Sequence, residues 1–252
     1  MPITFTPGLT MTPGFTVAAS SVSNYSVQFD GSSQYLTTPY NAVFDLSTSD
    51  FTIEFWVYPT SFADNRHIAG LAFGTNTTRS FYVVLSITTG IPVFYYYVNG
   101  TTAITLTGSS APALNTWSHI AVIRASGTTK IYLNGVQVAT GTAQSGAMYA
   151  SASSVFTIGR EAGFNGSYFL GYISNFRFVN GTAVYTSAFT PSTTGPLPAT
   201  QSANTYGNPS TAISSGTSIL TCQSSTIIDN STNAFTITNN GTATVSSTNP
   251  FP

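Results

Sequence analysis

Strict alternation of apolar and polar residues is the feature that most narrows what this chain can become. In Phe51-Thr52-Ile53-Glu54-Phe55-Trp56-Val57, residues Phe51, Ile53, Phe55 and Val57 fall on one side of an extended backbone, and Thr52, Glu54 and Trp56 on the other. Trp117 to Arg124 repeats the pattern. Phe81 to Ile87, Val93 to Val98, Ile131 to Leu133 and Gly171 to Val179 are rich in β-branched and aromatic residues and read as further strands. Asn-Gly pairs at 99–100, 134–135, 165–166, 180–181 and 240–241 supply the positive-φ positions of tight hairpins. No stretch of eleven or more residues carries an apolar stripe at helical spacing. The spacing predicts an all-β protein.

Turn residues and composition divide the chain into four regions. Residues 1–22, interrupted by Pro2, Pro7 and Pro13, read as an extended N-terminal arm. Residues 23–198 hold the dense strand pattern of one domain. Residues 199–216 read as an exposed linker. Residues 217–252 regain alternation in Ile219-Leu220, Ile227-Ile228 and Phe235-Thr236-Ile237.

Charge decides which chemistries are open. The 252 residues include six Lys or Arg and seven Asp or Glu, 5% of the chain, where an ordinary soluble domain carries about 25%. With a net charge of −1 and no basic run, nucleic acid is not an expected partner. The sequence has no Gly-x-Ser-x-Gly elbow, no His-Glu-x-x-His and no phosphate-cradling glycine loop. Cys222 stands alone, which leaves neither a disulfide framework nor a cysteine zinc site. No apolar run approaches the roughly 18 residues of a membrane span, and the N-terminus lacks the pattern of a signal peptide. The expectation is therefore synthesis in the cytoplasm, with no membrane insertion. The Asn-x-Ser/Thr triplets at Asn76, Asn99 and Asn180 read as turn chemistry. A surface kept soluble by hydroxyls and amides leaves little repulsion between copies, which suits an assembly or an exposed exterior.

Four segments, in order and spacing, resemble the laminin-G-like, concanavalin A-like jelly-roll family across roughly residues 25–195. They are Val27-Gln28-Phe29-Asp30-Gly31 with Tyr35-Leu36; Asp50 to Val57; Trp117 to Arg124 leading to Ile131-Tyr132-Leu133-Asn134-Gly135; and Gly171-Tyr172-Ile173-Ser174-Asn175-Phe176-Arg177-Phe178. The closing Tyr185-Thr186-Ser187-Ala188-Phe189-Thr190-Pro191 is similar to the way this subtype ends in proteins of tailed phages, marine and cyanobacterial ones especially. The resemblance implies a two-sheet antiparallel sandwich.

Tandem members of the family open with a pattern that here sits at the end: Ile219-Leu220-Thr221, Asp229-Asn230-Ser231, Phe235-Thr236-Ile237-Thr238 and Asn240-Gly241. The expectation is that 217–252 supplies strands to the same domain, as in a circular permutant, or to a neighbouring copy by strand addition.

Glucanases share the implied fold, so hydrolysis needs a direct test. Asp50 and Glu54 can share a strand face, but four residues of strand set them about 13 Å apart. Retaining enzymes need about 5–5.5 Å and inverting ones about 6.5–9.5 Å. No catalytic residue is expected. The resemblance makes Arg177 the neighbour of Glu54 across the sheet, an expected structural ion pair. His119, alternating with Trp117, Ala121 and Ile123, reads as a packed core histidine; His67, beside Asp64, Asn65 and Arg66, reads as an exposed loop residue.

Laminin-G-like domains often carry calcium at a sheet rim. The candidate ligands are Asp64 with Asn65, or Asp229 with Asn230 and Asn233. The natural recognition activity of the fold is glycan binding through ring stacking and oriented polar groups. Its loop candidates are Arg66, His67, Asn76, Arg79, Phe164, Asn165 and Tyr168. In Tyr95-Tyr96-Tyr97 at least one ring must leave the core.

The leading expectation is a non-enzymatic surface protein of a phage particle, a capsid decoration or tail-fibre component made in the host cytoplasm. Its partners would be other virion proteins, itself and host-surface polysaccharide. A free carbohydrate-binding lectin and a degraded glycoside hydrolase are the alternatives.

Overall fold

Period-two alternation becomes two antiparallel sheets packed face to face. The computed structural model describes residues 24–64, 66–72, 79–99, 102–149, 151–161, 166–205 and 208–251. The expected arm, 1–22, lies outside the described residues.

Strands β1 (Ser26–Asp30), β3 (Phe51–Pro59), β8 (Ser118–Ala125), β9 (Thr128–Leu133), β10 (Val136–Thr140), β12 (Leu170–Asn180), β13 (Thr217–Thr221) and β15 (Thr244–Ser246) form the first sheet. Its order is β10-β9-β8-β3-β12-β1-β15, with β13 also on β12. Strands β2 (Tyr35–Pro39), β4 (Arg66–Ala72), β5 (Arg79–Leu85), β6 (Pro92–Val98), β7 (Thr102–Thr107), β11 (Val155–Ile158) and β14 (Thr238–Asn240) form the second, ordered β14-β2-β11-β4-β5-β6-β7. A 3-10 turn, Ala42–Phe44, is capped by Asn41, whose side chain accepts from the Val43 N–H.

The inward residues of both sheets meet in an aromatic core. Phe44 stacks on Phe156 at 4.9 Å and Phe55 on Phe176 at 5.8 Å, all fully buried. Each such side chain contributes roughly 1.5–3 kcal/mol through burial.

β12 organises the first sheet. β3 pairs with it along one edge; β1 pairs with its first half and β13 with its second half along the other. Thus 217–251 enters both sheets of its own chain: β13 and β15 join the first, β14 the second.

Two expectations need correction. Residues 199–216 are not a free linker: mostly exposed, the segment is anchored by the buried residues Asn208, Ser210 and Ile213. Ile213 is 1% exposed and exchanges backbone hydrogen bonds with Gln201, because the segment lies across the outer face of the first sheet. There Val184, Tyr185, Phe189 and Ile213 cover Ala121, Ile123 and Tyr132 in a second apolar cluster. This strap also explains why Thr52 and Glu54, on the face opposite the main core, are fully buried. The Asn-Gly pairs also differ in role. Asn134-Gly135, with φ of 50° and 78°, makes the two-residue hairpin between β9 and β10. Asn180-Gly181 instead ends β12, and Asn240-Gly241 carries the chain from one sheet to the other.

Candidate ligand-binding face

The outer face of the second sheet carries a band of aromatic rings. Along β5 and β6, alternation sends Phe81, Val83, Phe94 and Tyr96 into the core and leaves Tyr82, Tyr95 and Tyr97 half-buried on the other side. Tyr82 and Tyr95 are cross-strand partners, and their rings stack at 4.5 Å and 20°. On β4, Gly70 pairs with Tyr82; a methyl group there would come within 2.9 Å of the Tyr82 Cβ, so glycine makes room for the ring. A bulge between His67 and Ala69 adds Ile68 to the core and turns His67 outward, where it stacks on Tyr82 at 5.1 Å and 25°.

Polar groups close the band at its far end. His67 Nε2 lies 3.3 Å from Glu161 Oε2. Arg160 lays its guanidinium over the Tyr35 ring, 3.9 Å from the centroid, with the Tyr168 ring 5.9 Å away. Arg66 Nη1 donates to the Tyr168 carbonyl at 2.9 Å.

Of the expected glycan-binding residues, the structure brings Arg66, His67 and Tyr168 together. Arg66 and His67 are corrected from exposed loop to buried strand, 5% and 4% exposed, because they open β4 and turn their polar ends onto neighbouring groups. Asn76, Phe164 and Asn165 lie outside the described residues; Arg79 is described in its backbone, within β5, but not in its side chain. Sequence reasoning missed Tyr35, Tyr82, Arg160 and Glu161. Strand parity was the available signal for the two tyrosines. Two open clefts of about 400 Å³ elsewhere, around Asn180 and Asn233 and around Asp50 and Arg124, have no aromatic lining.

A second polar cluster is sealed beneath the strap. Arg177 donates to Glu54 Oε1 through Nε at 3.0 Å and Nη2 at 2.6 Å, and through Nη1 to the Pro198 carbonyl and Gln201 Oε1. His119 Nε2 stands 3.2 Å from Glu54 Oε2. Burial pushes the Glu54 carboxyl up, but the charge of Arg177 and the hydrogen bond and charge of His119 outweigh it and hold the group at about 2. Glu54 and Arg177 are 0% exposed and His119 1%, so substrate has no access to this acid, base and cation. The cluster fastens strap to sheet.

Of the expected calcium ligands, Asp229, Asn230 and Asn233 are arranged in a way that does not fit the ion. Asp229 accepts four hydrogen bonds, from the N–H groups of Leu220, Ser231 and Phe235 and the Ser231 hydroxyl. Asn230 Oδ1 accepts from the Ser224 hydroxyl, and Asn233 donates to the carbonyls of Thr217 and Ser218. These groups clamp a turn against β13, with N–H donors where a cation would have to sit. Asp64 is exposed and Asn65 lies outside the described residues. Among the described residues no three His, Cys, Asp or Glu side chains gather into a cluster able to hold a metal.

Residues 30–186, more than half of the chain, match the model of the family described as the concanavalin A-like lectin/glucanases superfamily. Among solved structures, a protein of Bacteroides ovatus named for carbohydrate binding superposes with a TM-score of 0.62 at 19% identity, over 88% of this chain and 59% of that one. The SAP-like pentraxin of Limulus polyphemus gives 0.47 at 16% identity, over 68% and 80%. Domains LG4-5 of the mouse laminin alpha1 chain give 0.48 at 15%, over 68% and 48%. The likeness is one of fold. A comparison with curated protein sequences finds no match.

Proposed function

Because the chain belongs to the concanavalin A-like lectin/glucanases superfamily, we propose that it binds carbohydrate without hydrolysing it, through the outer face of the second sheet. The observation that carries this reading is the band His67, Tyr82 and Tyr95, continued by Tyr35 and Tyr168. Half-buried tyrosines offer apolar surface for the C–H faces of a sugar and hydroxyls for its polar edge, and their packing limits the entropy lost on binding. The Bacteroides protein named for carbohydrate binding supports the reading by analogy of fold.

The distribution of carboxylates argues against hydrolysis. Glycoside hydrolysis needs two carboxyl groups flanking the scissile bond. Among the described residues, Glu161 is the carboxylate in contact with the band, while Glu54 is buried in the opposite sheet.

The setting we favour is the exterior of a tailed-phage particle, as a decoration or fibre component. Its N-terminal arm would dock on another virion protein, and its lectin-like face would meet host polysaccharide. The closing segment Tyr185 to Pro191 and the charge-poor composition support that setting. Mass spectrometry of purified particles tests the setting separately: stoichiometric copies support it, and absence leaves a free lectin.

Titration calorimetry against a panel of polysaccharides tests the binding. Tyr82→Ala and Tyr95→Ala should each weaken the measured affinity by roughly tenfold, equivalent to about 1.4 kcal/mol. Equal affinity in wild type and both variants overturns the assignment of the face.

A further inference from the structure

Arg160 is unlike the other described arginines. Arg124 donates to the carbonyls of Thr48, Ser49 and Gln144, Arg66 to that of Tyr168, and Arg177 to Glu54, Pro198 and Gln201. Each of these guanidinium groups thereby reaches at least one acceptor within the fold, although the Nε of Arg66 and that of Arg124 are also buried without a partner. Arg160 has no hydrogen-bond acceptor among the described residues, and its Nε is buried. Its contacts are ring faces, Tyr35 at 3.9 Å and Tyr168 at 5.9 Å.

That arrangement costs the protein solvation and rotamer freedom of a long cationic side chain. Stacking on a partly exposed ring returns only a small part of that cost. In a chain with six basic residues, a cation stacked against an aromatic ring and left without an anion is a half-built recognition element. Its backbone support is firm: Arg66 fixes the Tyr168 carbonyl, and the Arg160 carbonyl accepts from the Thr157 hydroxyl at 2.9 Å. The adjacent carboxylate, Glu161, is held by His67. Asp30, in the turn that brings Gly31 close to Arg66 and Leu170, accepts five hydrogen bonds from its own turn. Neither carboxylate is paired with Arg160.

We infer that the site takes an acidic saccharide, with Arg160 receiving a carboxylate or sulfate on the sugar while the tyrosine band packs against the ring. A guanidinium held flat presents two N–H groups in the fork that matches a planar carboxylate or two oxygens of a sulfate. The inference rests on the carbohydrate-binding reading and narrows it to anionic sugars.

The test is titration calorimetry with polygalacturonate, dextran sulfate and neutral dextran, on wild type, Arg160→Gln, Arg160→Lys and Lys130→Gln. Lys130, half-buried on β9 of the opposite sheet, removes the same charge without touching the site. Melting curves identify any variant that fails to fold, and Arg160→Lys keeps the charge while losing the fork. The expected result is binding of at least one acidic polymer in preference to dextran, reduced roughly tenfold or more by Arg160→Gln, less by Arg160→Lys and unchanged by Lys130→Gln. Binding to polygalacturonate alone assigns the carboxylate, and to dextran sulfate alone the sulfate. Preference for dextran, or acidic binding lowered equally by Arg160→Gln and Lys130→Gln, overturns the inference and leaves carbohydrate binding standing. No binding to any glycan, in this or the wider panel, overturns the underlying reading and the inference with it.

Discussion

Arg177 Nη2 stands 2.6 Å from Glu54 Oε1, with both side chains fully buried between the first sheet and the strap that covers it. The two residues are cross-strand partners on β12 and β3, next to a bulge at Ser174–Arg177 where Asn175 takes φ of 52° and accepts from the Leu197 N–H. The bulge points Arg177 at both Glu54 and the Pro198 carbonyl. One side chain therefore joins the jelly roll to its cover.

Removing Glu54 leaves a buried guanidinium without its counter-charge. Glu54→Ala should cost about 3–5 kcal/mol, whereas Glu161→Ala, whose carboxylate keeps some contact with solvent, should cost less. Urea unfolding followed by tryptophan fluorescence measures both. Equal losses would count against the clamp.

The same pair sets an acid limb of stability. Glu54 is held at about 2, below its ordinary 4.5, so the unfolded chain takes up the proton more readily than the native one. The contribution is complete above about pH 4.5 and disappears as the pH falls toward 2, on the order of 3 kcal/mol in all. Glu54→Gln removes this increment. The stability difference between wild type and Glu54→Gln should therefore shrink as pH drops from 5 to 2.5, and a constant difference contradicts the assignment.

Ending the chain at residue 205 removes β13, β14 and β15. It exposes the second half of β12, strips an edge from each sheet and uncovers the core beside Ile219, Phe235 and Ile237. The truncated chain should be insoluble or melt well below the full one. An unchanged melting temperature and oligomeric state would show that 217–252 is an appendage.

Much of this architecture is legible in the residues, and the failures have physical causes. Period two at Phe51–Val57 and Gly171–Val179 located central strands, because in-and-out alternation is local. The burial of Thr52 and Glu54 was not legible: it depends on Val184, Phe189 and Ile213, which are remote in sequence. His67 looked like a loop residue beside Asp64, but a bulge, which leaves no composition signal, makes it part of the aromatic band. Tyr82 and Tyr95 face outward by simple parity, yet the room beside the Tyr82 Cβ comes from Gly70 on a third strand. The pairing of Glu54 with Arg177 came from the family resemblance, which supplied the strand neighbour that spacing alone could not.

Glycine positions separate backbone strain from collision. Gly171, at φ of 136°, faces the Tyr58 carbonyl so closely that a methyl group would strike it; Gly181, at φ of 86°, has no heavy atom within 4 Å of that position. Gly181→Ala should cost about 1–2 kcal/mol for the backbone conformation alone. Gly171→Ala should cost about 3 kcal/mol or more, since β12 must part from β3. Thermal melts of the two variants give the comparison, and similar midpoints would contradict this packing.

The most direct test of the account is a crystal structure with an acidic oligosaccharide bound. The account predicts a sugar against the Tyr82–Tyr95 band, its anionic group within hydrogen-bond distance of Arg160. A sugar seated elsewhere, for example over Tyr58, Trp117 and Tyr172 on the first sheet, with the band bare, would contradict it.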